Sequence, residues 1–202
     1  MNITSSIKHY LGILIFFIGF NATGQVQWMS WDEMIKAQKK EARPVFIDVY
    51  TDWCGWCKVM DRETFAKSEV YEVLNRDFYS VKFDAEQRED IKVGSKTYSY
   101  VGQGRRGYHE LAATLLNGQL SYPTVVFLDG VDRVEQAIAA QNGVSTEVAR
   151  QNMIILGDLA LVAPMPGYQK VEQLLPMLEH FVPKGNYICL LYTSDAADES
   201  VC

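Results

Sequence analysis

Two cysteines stand two residues apart in "DVYTDWCGWCKVM" (residues 48–60), where a buried strand gives way to a helix. The strand is "VFIDVY", Val45–Tyr50, a near-continuous apolar run that suits a strand covered on both faces, as in a parallel or mixed sheet with helices on either side. Asp48 alone breaks that run. A helix is expected to begin around Cys54, which puts the first cysteine at a helix N-terminus, exposed, and Cys57 one turn inside. A Cys-x-x-Cys pair so placed admits three chemistries: a metal clip, a structural disulfide or a redox couple.

The three are not equally supported. Zinc normally takes four ligands, and outside the N-terminal leader only His109 and His180 could join the cysteines, with nothing else at ligand spacing. No metal site is expected. A disulfide closing so small a loop restrains the unfolded chain only modestly. The redox reading accounts for location as well as spacing, because N–H groups and the macrodipole at a helix N-terminus favour a thiolate, the attacking species in disulfide exchange.

The remaining sequence supplies a frame. Ser30 and Glu33 make a capping-box pattern ahead of Met34 and Ile35, so a first helix should run to about Glu41, where Pro44 prevents its continuation. A helical pattern follows Ser68 through Val70, Val73 and Leu74, and "YSVKF" alternates like a strand. "YHELAATLLNG" places Leu111, Leu115 and Leu116 on one helical face and ends at Gly118 as a C-cap. "SYPTVVFLDG" returns to strand, and Asp129-Gly130 predicts a hairpin turn with a second strand near residues 133–138. An inserted helix is expected over residues 146–155 and a strand over residues 159–163. A last helix carries Val171, Leu174, Leu175, Leu178 and Phe181 inward, with Pro176 implying a kink or a late start.

Both termini read as something other than fold. Lys8 and His9 precede an apolar run at residues 10–20, too short to span a bilayer comfortably, and Ala22-Thr23-Gly24 supplies small residues for cleavage. Residues 1–24 are expected to be a signal peptide, removed on export; the alternative is an uncleaved anchor. "CLLYTSDAADE" resembles the translation of a sequencing-library adapter, so residues 189–202, with Cys189 and Cys202, are set aside as a non-native tail. Residues 25–188 are then one domain. With 48% hydrophobic residues, the 202-residue chain can bury one sizeable core. A net charge of −6 and the absence of any Lys/Arg run beyond two residues argue against a nucleic-acid surface.

The sequence resembles thioredoxin in "WCGWC" (Trp53 to Cys57), in Asp48 six residues before the first cysteine, and in Pro123 of "SYPT". The resemblance covers roughly residues 45–129. The match is especially to exported thioredoxin-like proteins with "DWCGWCK" and an elongated segment before the proline. It implies an α/β fold: a central mixed sheet flanked by helices on both faces, with an insertion before the cis-proline strand. It also implies a nucleophilic Cys54, a resolving Cys57, and a cis Pro123 beside them that offers a docking edge for an extended substrate. Lys82 in "SVKFD" stands in for the family's lysine, although aligning Asp84 with the family's strand-end aspartate puts Ser80 there instead. Trp53, Gly55, Trp56, Tyr122 and Pro123 are the expected substrate contacts. Trp56 departs from the family's proline, so the redox potential does not carry over.

"GQGRRG", residues 102–107, fits a dinucleotide fingerprint, but "KTYSYV" before it is too polar for the buried parallel strand that motif follows. A flexible loop before a helix is expected there, with Arg105 and Arg106 solvated or touching an acidic partner. Two functions remain. One is an envelope thiol:disulfide oxidoreductase acting on protein thiols or disulfides, with no cofactor and with a membrane thiol relay as a candidate electron donor. The other is a binding module with a structural disulfide, holding a partner through residues 86–107.

Overall fold

The computed structural model describes residues 24–103 and 106–184. Residues 1–23 of the expected leader, Arg105, and the tail with Cys189 and Cys202 lie outside the described residues, as do the side chains of Arg106, His180 and Phe181.

The elements run β1 (Trp28–Met29), α1 (Trp31–Gln38), β2 (Val45–Tyr50), α2 (Gly55–Met60), a π-helical turn (Asp61–Phe65), α3 (Ser68–Asp77) and β3 (Tyr79–Asp84). Two short hairpins follow, β4 (Ile91–Val93) with β5 (Lys96–Tyr98) and β6 (Tyr100–Gln103) with β7 (Arg106–His109). Then come α4 (Glu110–Leu115), β8 (Thr124–Gly130), α5 (Val131–Asn142), α6 (Thr146–Gln151), β9 (Ile155–Leu156), β10 (Leu159–Pro166) and α7 (Val171–Lys184). The main sheet has six strands in the order β1-β3-β2-β8-β10-β9. β2 pairs in parallel with β3 and antiparallel with β8, so the expected mixed sheet is present with β2 at its centre.

The pleat of β2 divides the core in two. Phe46 packs with Met60, Phe65, Val70, Leu74, Phe127, Leu174 and Leu178 on the face covered by α2, α3 and α7. Val45, Ile47 and Val49 pack with Trp31, Met34, Phe83, Leu111, Leu115 and Leu128 on the face covered by α1 and α4. Burial on both sides explains why β2 reads as an apolar run rather than as an alternation. Asp48 shares the pleat side of Phe46, and its burial is therefore beneath α2.

Local signals explain several boundaries. Ser30 Oγ accepts from Glu33 N (3.3 Å) while Glu33 Oε2 accepts from Ser30 N (2.8 Å), a complete capping box for α1. α4 ends in a Schellman arrangement: Asn117 N donates to Thr114 O and Gly118 N to Ala113 O, with positive φ at Asn117 (49°) and Gly118 (80°). Of the segment "GQGRRG", Gly102 and Gln103 end β6 and Arg106 and Gly107 open β7, where a loop was expected. Gly107 is required there, since a Cβ would sit 2.4 Å from the Val101 carbonyl oxygen.

The hairpin expected at Asp129-Gly130 is overturned. Residues 133–138 form no hairpin strand but part of α5, and β8 instead pairs antiparallel with β10 after an excursion through α5, α6 and β9. The Asp129-Gly130 signal is local, whereas Val131, Val134 and Ile138 recur at helical spacing and turn their side chains to the core. Asp129, 1% exposed, accepts from Gly130 N at 2.7 Å and from Arg133 one helical turn on, and Gly130 is the N-cap of α5. α7 begins at Val171, so Pro176 does not delay its start. β9 covers only the first part of β10, at Leu159 and Ala160. Pro164 and Pro166, with no amide hydrogen to give, lie beyond that cover, on the outer edge.

Phe46 meets the rings of Trp28, Phe65, Phe78 and Phe127 at centroid distances of 6.2, 5.8, 6.5 and 5.4 Å. Phe46→Ala should destabilise the fold by about 3–5 kcal/mol, and Phe46→Leu by clearly less. Urea unfolding of both variants checks this.

Candidate functional site

The chain leaves β2 at Tyr50, and Cys54 N donates back to Thr51 O (3.1 Å) to close the turn into α2. Cys54 is the N-cap of that helix: its Sγ accepts from Cys57 N at 3.0 Å. Cys54 and Cys57 form a disulfide with a Cα separation of 5.3 Å. The sulfur of Cys54 therefore sits where the first turn of α2 has N–H groups without helical partners, which stabilises negative charge on it once the bond is opened.

Cys54 was expected to be exposed, yet it is 4% exposed and Cys57 3%. The bulky Trp53 and Trp56 flank Cys54 and precede Cys57 in the chain. Those indoles take the exposure instead, at 67% and 62%. Each is braced. Trp53 Nε1 donates to Glu86 Oε1 (3.0 Å) and its ring meets Tyr122 edge-on at 5.9 Å; Trp56 lies 5.7 Å from Tyr168. Gly55 opens the helix between them, with nothing within 4 Å of where a side chain would begin.

Pro123 follows a cis Tyr122-Pro123 peptide at the start of β8, and Gly167 N donates to its carbonyl at 2.8 Å. The loop from β10 into α7 thus reaches the site three ways: through Gly167 to Pro123, through Tyr168 to Trp56, and through the Gln169 carbonyl, which accepts from Thr64 Oγ1 at 2.7 Å. Sequence reasoning missed this loop; "PMPG" signals a turn but nothing ties it to the cysteines. Burial pushes the Tyr122 hydroxyl up to about 12, helped by the nearby charges of Glu86 and Asp84, so it remains a neutral donor.

Beneath α2, Asp48 is 1% exposed. The β2–β3 register sets it opposite Lys82 and sets Ser80 opposite Phe46, so the lysine beside the buried carboxylate is Lys82. Lys82 Nζ lies 3.0 Å from Asp48 Oδ2, but off the direction of a hydrogen bond, and neither Asp48 oxygen accepts one. The ammonium hydrogen-bonds instead to Asp61, on the π-helical turn after α2, which sequence reasoning also passed over despite its i, i+4 spacing from Cys57. Burial pushes Asp48 up to about 6, with Lys82 pulling in the opposite direction. Burial also works against the Lys82 charge, but the two carboxylates outweigh it and hold Lys82 above its ordinary value.

His109 is buried away from this cluster, its Nε2 facing the Glu89 carbonyl at 3.0 Å and its Nδ1 accepting from Leu111 N at 3.2 Å. Among the described residues no group of three or more His, Cys, Asp or Glu side chains is placed to hold a metal ion.

Comparisons with known proteins bear on the family and the fold. The family model Thioredox_DsbH, described as protein of unknown function, DUF255, matches residues 16–137. Spermatogenesis-associated protein 20 of Homo sapiens is 38% identical over 72 residues, 35% of this chain and 9% of that protein. The thiol:disulfide interchange protein DsbD of Ralstonia nicotianae is 44% identical over 43 residues, 21% of this chain and 7% of that protein. The chain therefore matches less than a tenth of the length of these relatives. Among solved structures, a thioredoxin from Thermus thermophilus covers 82% of this chain and 93% of its own, with a TM-score of 0.50 at 16% identity, which shows the fold.

Because the folded-state pKa of Asp48 lies above its unfolded value, the native state holds the extra proton between about pH 4 and pH 6. Stability is therefore fully present below pH 4 and falls as pH rises through 6. Asp48→Asn, which carries no charge to desolvate, should be more stable than the parent at pH 7 by up to about 3 kcal/mol, less whatever Lys82 loses. The difference should fade near pH 4, as urea unfolding at both pH values would show.

Proposed function

The chain belongs to the Thioredox_DsbH family, and on that premise we propose that it is a thiol:disulfide oxidoreductase of the cell envelope, exchanging disulfides with protein substrates. The observation that carries the reading is the Cys54–Cys57 disulfide at the start of α2, its first sulfur seated on the Cys57 N–H and flanked by two exposed indoles. A purely structural bridge has no use for exposed aromatics on either side of it. They fit a protein surface to be bound.

In the reducing direction the Cys54 thiolate attacks one sulfur of a substrate disulfide. The substrate S–S bond breaks, one substrate thiolate leaves, and a mixed disulfide joins Cys54 to the other. Cys57 then gives its proton to Asp48, directly or through a water, and attacks Cys54 Sγ. The mixed disulfide breaks, the second substrate sulfur leaves as a thiolate, and the pair is left oxidised by two electrons. Run backwards, the same steps oxidise a dithiol substrate. A carboxyl titrating near 6 is matched to the proton-acceptor task, and general-base help of this kind is typically worth about 10²–10⁴ in rate. Lys82 is its counter-ion. Trp53, Gly55, Trp56, Tyr122 and Pro123 form the substrate platform.

The export reading rests on the short apolar run and the small residues that end at Gly24. A membrane thiol relay as electron donor is supported by the 43-residue likeness to a thiol:disulfide interchange protein.

With dithiothreitol as reductant, the protein should catalyse insulin reduction, and replacing either cysteine should abolish it. Cys57→Ser should accumulate mixed disulfides through Cys54, whereas Cys54→Ser should accumulate few, as non-reducing gels and mass spectrometry would show. Absence of turnover by the intact protein would return it to a binding module with a structural disulfide.

A further inference from the structure

The Lys82 ammonium is confined. It lies 5.0 Å from the ring centroid of Trp28, 5.3 Å from that of Tyr50 and 5.7 Å from that of Phe65, so aromatic faces on β1, β2 and the π-helical turn wall it in. Within that box it has two anionic neighbours, and it treats them differently. The directed hydrogen bond goes to Asp61, which is 44% exposed, while Asp48, 1% exposed, has the cation 3.0 Å away but receives no directed hydrogen bond. Desolvation makes Asp48 the carboxylate with more to gain from the cation. It nonetheless shares that cation with Asp61.

We propose that Asp61 is a positioning residue for the exchange reaction, engaging the Lys82 ammonium from the solvent side so that Asp48 receives only part of that cation. This deepens the reading of Asp48 as proton acceptor and rests on it. A base fully paired with a lysine would stay ionised to low pH and accept protons poorly; one with no cation would be neutral at working pH. Asp61 sets the point between. The other groups facing Asp48 do not substitute for it: Tyr50, on the same strand, is a phenol whose pKa burial raises, and β8 sets the uncharged Val125 opposite. Arg62, next to Asp61, is paired with Glu63 at 2.7 Å.

Asp61→Asn keeps the shape and an acceptor while removing the charge. The ammonium should then turn toward Asp48, and a nearby negative charge is gone; both changes favour the ionised Asp48. Carbon-detected NMR titration of the Asp48 carboxyl in the oxidised protein, which needs no substrate, should show its midpoint fall by about half a pH unit or more. The pH profile of mixed-disulfide resolution should move down with it. In a Lys82→Met background the same substitution should move the midpoint by less than half as much, since the effect runs through the lysine. A merely structural pin would, when lost, loosen the burial of Asp48 whether or not Lys82 were present. A midpoint that is unchanged or raised in Asp61→Asn, or that falls equally without Lys82, overturns the proposal. A midpoint that falls while the resolution profile stays in place overturns the base role of Asp48 and the positioning role with it, leaving thiol exchange through the cysteines intact.

Discussion

A carboxylate in the middle of a strand covered on both faces costs free energy that a valine at the same place would not. Much else in the structure follows from keeping Asp48 there. Its pleat partner Phe46 packs against the helices that cover this face, and β3 must run in a register that puts Lys82 rather than Ser80 alongside. The ammonium in turn needs walls and a second acceptor, which come from Trp28 on a two-residue strand and from Asp61 and Phe65 on the π-helical turn. Short or irregular elements that contribute little to the sheet are thus explained by what they hold around one lysine.

The disulfide sits above this charged cluster, at the junction of β2 and α2, and its surroundings divide by task. The N-terminus of α2 handles charge on sulfur. Trp53 and Trp56 are exposed rings that Glu86, Tyr122 and Tyr168 hold in place, so their freedom is already reduced. The cis Pro123 and the loop after β10 are tied to each other through Gly167 N and the Pro123 carbonyl.

How much of this was legible depended on whether the signal was local or distributed. The two-face burial of β2, the capping box at Ser30 and Glu33, the cysteine pair and Pro123 were all readable because each is carried by a few adjacent residues. Asp129-Gly130 was equally local and misled: a dipeptide that favours tight turns also terminates a strand ahead of a helix, and only the recurrence of Val131, Val134 and Ile138 separates the two. The Lys82 assignment was ambiguous because strand register is a property of pairs, not of either strand. Tyr168 was invisible for the same reason, and the spacing of Asp61 from Cys57 did not reveal its lysine partner. Their importance lies in which side chains come to meet them from elsewhere in the chain.

The two prolines on the outer edge of β10 bear on how this molecule behaves among copies of itself. Among the described residues, that edge beyond the short cover of β9 presents carbonyls but lacks amide donors at alternate positions, Pro164 and Pro166. A foreign strand laid along it would find every second rung of its ladder missing. This edge therefore carries its own stop against edge-to-edge growth, written in backbone chemistry rather than in surface charge, on the strand that leads directly into the loop bracing Trp56.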